Sequence, residues 1–104
     1  PEMTSDILRA KLNLETAQLA WRELERHFAR GSIIKVAPSI DLVDAALQVA
    51  ENNAATVQVW LAEGRIARAE LSDAEDWHAR QPFFWTVVVA PWVLIQEAVK
   101  QIEN

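Results

Sequence analysis

Apolar residues recur at three- and four-residue steps between Ser5 and Arg30, where Leu14, Ala17, Trp21, Leu24 and Phe28 fall on one face of a helix turned toward a core. At about 100° per residue, Leu8, Leu12 and Leu19 fall on nearly the opposite side of the same helix. Two apolar faces need two partners. Either the helix breaks near Asn13, a residue that competes for local backbone bonds, or the second face packs against another subunit. After Gly31, Ser32-Ile33-Ile34-Lys35-Val36 is a short strand stopped by Pro38, which has no backbone donor for a ladder. Ser39 or Asp41 caps the following helix, with Asp44 in its first turn and an end near Glu51. Asn52-Asn53 makes a turn before a helix from Ala54 to Glu63. One long helix is the alternative, because Val43, Ala46, Ala50, Ala54, Val57 and Leu61 keep helical phase throughout.

Gly31 and Gly64 each stand where a helical pattern gives way to a strand-like run, the place for a left-handed helix stop. Beyond Gly64, Ile66 to Glu70 is a weak strand with Arg68 and Glu70 on one side, suited to a sheet edge. Ser72-Asp73-Ala74-Glu75 has the form of a capping box opening a short helix through Trp77, with Pro82 beyond its end. Phe83 to Val89 is apolar on both faces except at Thr86, the signature of a central strand covered on both sides. Pro91 opens a last helix in which Trp92, Ile95, Val99 and Ile102 repeat at helical spacing. The whole is an α+β fold in a single domain over residues 1–104. A helix over 5–30 precedes a strand-helix-helix-strand-helix-strand-helix run over 32–103, and a three-stranded sheet packs with the helices. The order is winged-helix-like, with a helix in place of the wing hairpin.

Composition narrows the function classes. The chain of 104 residues makes one core, and 51% hydrophobic residues with five Trp leave apolar surface for a partner, a second copy among them. Cysteine is absent, so neither disulfides nor thiolate metal sites contribute, and a reducing cytoplasm is compatible. The apolar run from Phe83 to Ile95 falls short of the roughly 20 residues needed to cross a bilayer, and the acidic start at Glu2 and Asp6 lacks the form of a secretion signal. A net charge of −5 disfavours nonspecific attraction to nucleic acid or to an anionic membrane.

At Trp21-x-x-Leu24-x-x-His27-x-x-Arg30-Gly31, Asp41-Leu42, Trp60-Leu61-x-x-Gly64 and Val88-Val89-Ala90-Pro91-Trp92-Val93-Leu94, the chain resembles a bacterial domain-of-unknown-function family of about one hundred residues. The resemblance runs from Leu14 to Glu97. It implies a bacterial origin and a stand-alone domain, and supplies no reaction and no catalytic residues.

Among candidate groups, Arg22, Arg26 and Arg30 follow one another at four-residue steps and form a basic ridge about 12 Å long at roughly 1.5 Å per residue. Three planar donor forks in a row suit phosphates or carboxylates. Glu15, Glu23 and Glu25 lie close enough along a continuous helix to neutralise much of that ridge, which is the competing, purely solvated reading. His27 is a surface histidine at a helix end with anion contact as its functional role, and Asp41 and Asp44 are explained by their place in a helix's first turn. His27 and His78 lie on separate elements without a second ligand at metal spacing, so no metal and no cofactor are expected. Trp21, Trp60, Trp85 and Trp92 read as core, whereas Trp77, between Asp76 and His78, is expected to be partly exposed.

The expectation is therefore a non-enzymatic, cytoplasmic interaction or regulatory module. It would be homodimeric through Leu8, Leu12 and Leu19 and would contact an unidentified protein through Arg22, Arg26, Arg30, His27 or Trp77. The alternative is a winged-helix nucleic-acid binder that places Ala54 to Glu63 in the major groove. That segment has Thr56 and Gln58 but no Lys or Arg, and Glu51 and Glu63 bracket it, so nucleic acid is disfavoured. Catalysis is not expected, since Cys and Tyr are absent and no hydroxyl stands at a recognisable spacing from a base.

Overall fold

The helix expected over residues 5–30 divides into three elements in the computed structural model, which describes residues 2–98: α1 (Glu2–Glu15), β1 (Ala17–Ala20) and α2 (Trp21–Ala29). The break follows Thr16, whose hydroxyl donates to the Leu12 carbonyl at 2.9 Å while its amide donates to Asn13 at 3.3 Å, so the last turn of α1 is satisfied locally. Breaking there gives each apolar face its own partner within the chain. Leu12 is buried on one side of the sheet and Leu19, now on a strand, packs on the other. Leu14, placed on the inward stripe by periodicity, is instead 85% exposed, because the change to extended backbone ends the helical phase.

The chain continues through β2 (Ile33–Val36), α3 (Leu42–Ala50), α4 (Ala54–Ala62), β3 (Ile66–Arg68), α5 (Leu71–Arg80), β4 (Phe83–Val89) and β5 (Trp92–Glu97). The sheet is mixed and five-stranded in the order β1-β4-β5-β2-β3. Among the described residues only the β2–β5 pair is parallel. The expected three strands are thus corrected to five, and the winged-helix order is not what the chain adopts: helices cover both faces of the sheet. The correction at the C-terminal end is the largest. Pro91 sits in the tight turn between β4 and β5 rather than opening a helix, and Trp92 to Glu97 is a strand. A short run of consecutive apolar residues fits either element, and pairing on both edges decides for strand. Val99 and Ile102, which supported the helical spacing, lie outside the described residues.

Alternation along β5 divides the core. Leu94 joins Ile34, Val36, Ala45, Ala46 and Val87 beneath α1 and α3, with Trp92 packed at the margin. Val93 and Ile95 point the other way, to Trp21, Leu24, Trp77 and Phe84 beneath α2 and α5. Residues 41–63 form two helices, as the Asn52-Asn53 turn suggested: Asn52 is left-handed at φ 57°, and Asp41 caps α3 by accepting the Asp44 amide at 3.1 Å. For α5 the cap moves two residues toward the N-terminus, from Ser72 to Glu70. Leu71 opens it, and Asp73 accepts the Glu70 amide at 2.9 Å, leaving Ser72 inside the first turn. β3 is an edge strand, as its polarity predicts.

Gly31 and Gly64 both have φ of +74°, the left-handed stop expected of them. They differ in surroundings. A Cβ on Gly64 meets nothing within 4 Å, whereas one on Gly31 stands 2.9 Å from Arg68 Nη2, which donates to the Gly31 carbonyl at 2.6 Å and lies over the Trp92 ring. We expect Gly64→Ala to cost about 1 kcal/mol from backbone strain alone, and Gly31→Ala to cost more because it displaces the guanidinium. Urea unfolding of the single variants and of Gly31→Ala in an Arg68→Ala background is the check. The excess at Gly31 should vanish in the double variant, and equal costs in the parent background would rule out the guanidinium's part.

Candidate functional site

α2 begins directly after β1, where Glu23 accepts the amide of Ala20 at 3.1 Å and so closes the first turn. Its inner side is aromatic. Trp21 lies 5.9 Å from Phe28 and 5.3 Å from Trp77, and Trp77 lies 5.0 Å from Phe84 on the sheet face beneath. Anchoring Trp21 and Leu24 in this cluster turns the opposite side of α2 outward, and there Arg22, Arg26 and Arg30 are all exposed.

The carboxylates expected to neutralise this ridge do other things. Glu15 ends α1, on the far side of the helix break; Glu23 holds the cap; Glu25 turns toward α5, where it lies 4.0 Å from His78 Nδ1. Among the described residues, the ion pairs of Lys and Arg are Arg9–Asp44, Lys35–Asp73, Arg65–Glu63 and Arg80 with both Asp76 and Glu97. None includes Arg22, Arg26 or Arg30. Arg68 is engaged at Gly31 and Trp92. The ridge is therefore an uncompensated positive stripe in an acidic protein. His27 registers it: burial holds its imidazole below the ordinary value of 6.5, and the neighbouring charges of Arg26 and Arg30 lower it further.

A second concavity, about 940 Å³, opens at the carboxyl ends of the parallel strands β2 and β5. Its charges are matched among themselves. Arg80 grips Asp76 at 2.8 Å and Glu97 at 2.7 Å, tying the end of α5 to the end of β5, and Lys35 meets Asp73 at 2.9 Å. Those hydrogen bonds from Arg80 hold Asp76 below the usual carboxylate range and push Arg80 above its own. Gln96 donates to the carbonyls of Ala37 and Ile40 at 2.8 and 2.7 Å, fixing the loop before α3. With its ions paired, this groove presents no free charge comparable to the ridge. Among the described residues no group of three His, Cys, Asp or Glu side chains is placed to hold a metal ion.

Several sequence-level placements change. Trp77 is buried at 6% exposure, whereas Trp85, assigned to the core, is 44% exposed, with Phe83 at 56%. Both lie on the same side of β4 as Val87, past the reach of α1 and α3. No local signal marks Trp85, because how far a helix covers a strand is a matter of tertiary placement. Leu12 belongs to the chain's own core, Leu8 packs at its margin and Leu19 lies across the sheet, so the three form no common face for a second copy. The segment proposed as a recognition helix, α4, offers Gln58 to solvent and contains no cation.

Comparisons with known proteins agree on family and fold. The model of a family described as protein of unknown function (DUF2288) matches residues 7–97. No curated protein matches the chain. The solution NMR structure of PA1075 from Pseudomonas aeruginosa is similar at 40% identity and a TM-score of 0.80, over 94% of this chain and 91% of that one. Among the described residues no helix is long and apolar enough to cross a membrane.

Two titrations follow from this geometry. The folded state favours neutral His27, while the unfolded chain takes up its proton near the ordinary 6.5, so this contribution to stability is full above pH 6.5 and is lost as pH falls through the lower folded value. In Arg26→Gln with Arg30→Gln, the His27 ring resonances should titrate at higher pH than in the parent, while staying below 6.5 because burial remains. For Asp76 the folded value is depressed, so its stabilisation holds above the ordinary carboxylate value of 3.8 and disappears as pH falls through the folded one. Arg80→Met should therefore move the acid unfolding midpoint, followed by tryptophan emission, to higher pH.

Proposed function

Because the chain belongs to the DUF2288 family of unknown function, which assigns no reaction, we propose its role from its own surface: a non-catalytic, cytoplasmic interaction module. It docks an acidic segment of another protein along Arg22, Arg26 and Arg30. One observation carries this reading. Among the described residues these three exposed guanidiniums have no carboxylate within 4 Å, although the net charge is −5 and most other cations are paired.

A ridge of about 12 Å matches a short stretch of acidic side chains. Bidentate carboxylate recognition suits arginine better than lysine, and all three positions are arginine. His27, beside the ridge and neutral at pH 7, adds a hydrogen-bonding group without adding repulsion. Duplex DNA is a poorer fit, since three cations on one short helix release few counterions and the remaining surface is acidic.

The test is fluorescence anisotropy with a labelled peptide rich in Glu and Asp, alongside random duplex DNA. Peptide binding should weaken with salt. It should fall at least about tenfold in the Arg22→Glu, Arg26→Glu, Arg30→Glu variant, whose exposed substitutions leave the urea midpoint little changed. Undiminished peptide binding by the variant overturns the reading. So does duplex DNA binding below micromolar near ~150 mM salt.

A further inference from the structure

We propose that the groove between α2 and α5 takes the guanidinium of an arginine presented by a basic segment of the partner. The groove, about 530 Å³, is lined by Trp21, Glu25, Phe28, Ala74, Glu75 and His78. Its floor is aromatic: buried Trp21 and half-buried Phe28 meet edge to face. Glu25 rises on the α2 side and Glu75 on the α5 side, both exposed. Among the described residues neither carboxylate pairs with a Lys or Arg.

The three features together select the ligand chemistry. An aromatic face attracts a cation, and two carboxylates on facing walls accept from both edges of a planar fork, which a guanidinium offers and an ammonium does not. Ala74, small at this position, lines the groove on the α5 side, as Phe28 does on the α2 side. His78 stands on the rim with its Nδ1 4.0 Å from Glu25, beyond hydrogen-bonding distance. At about 100° per residue, Glu25 and Arg26 point in clearly different directions from α2. One helix thus presents an acidic slot on its α5 side and a basic ridge on its outer side. The inference rests on the interaction-module reading but not on the ridge itself.

Heteronuclear NMR with two blocked tripeptides, Gly-Arg-Gly and its citrulline counterpart, tests it, since citrulline keeps the shape and loses the charge. The indole Nε1–H of Trp21, buried and without an acceptor, reports the groove from beneath. At roughly millimolar peptide, the arginine form should shift that resonance and the amide of Phe28. Binding should be at least about fivefold weaker for citrulline and for Glu25→Gln with Glu75→Gln. In Arg22→Gln, Arg26→Gln, Arg30→Gln the arginine peptide should bind as well as in the parent or better, which separates the slot from the ridge. If the acidic peptide fails to bind the parent while the arginine peptide does, the ridge falls and the slot stands. Equal shifts from citrulline, indifference to the two glutamine substitutions, or loss of binding with the ridge removed would each overturn the proposal.

Discussion

Burial of β5 on both of its faces is the constraint on which the rest of the structure depends. Leu94 is wholly buried on one side, and Val93 and Ile95 are 3% and 1% exposed on the other. At about 2 kcal/mol for each such side chain, neither side can be left open to water. A strand in this position needs neighbours at both edges and a helical layer over each face. β4 and β2 supply the edges; α1 with α3, and α2 with α5, supply the layers. The break at Thr16 follows from the same demand, because a straight helix over residues 5–30 would serve one face only.

That arrangement also organises charge. Cations that sit where elements meet are used as fasteners: Arg80 between α5 and β5, Lys35 between β2 and α5, Arg9 between α1 and α3, Arg68 between β3 and the end of α2. Exposed pairs of this kind stabilise little individually. The ridge stays unneutralised because Glu15 is carried away by the helix break, Glu23 is engaged at the cap and Glu25 points toward α5. A helix with its inner side locked by Trp21 and Leu24 fixes the backbone positions from which the three arginines project on the outer side.

Part of the candidate site was legible in the chain. The four-residue spacing of Arg22, Arg26 and Arg30 requires only that their segment be helical, and Trp21, Leu24 and Phe28 guarantee the inward side. Whether those arginines are paired was not legible, since ion pairing within the same helix was weighed on a continuity that the fold removes. The slot between α2 and α5 was invisible for a simpler reason: Phe28 and Glu75 are far apart along the chain and meet only when both helices lie on one face of the sheet.

The sequence by itself determined the elements governed by local chemistry. Gly31 and Gly64 stop helices because only glycine takes φ of +74° without cost, Asp41 caps α3 through its own side chain, and Ile33 to Val36 extends because branched apolar residues before a proline do little else. Tertiary structure decided the segments whose pattern satisfies two periods at once. Trp92 to Glu97 is a strand because β4 and β2 offer it two hydrogen-bonding edges, and Ala17 to Ala20 is a strand because β4 had an open one. Exposure of Trp85 and burial of Trp77 were settled in the same way. An apolar side chain records that it can be buried, and only the placement of distant helices determines whether anything comes to cover it.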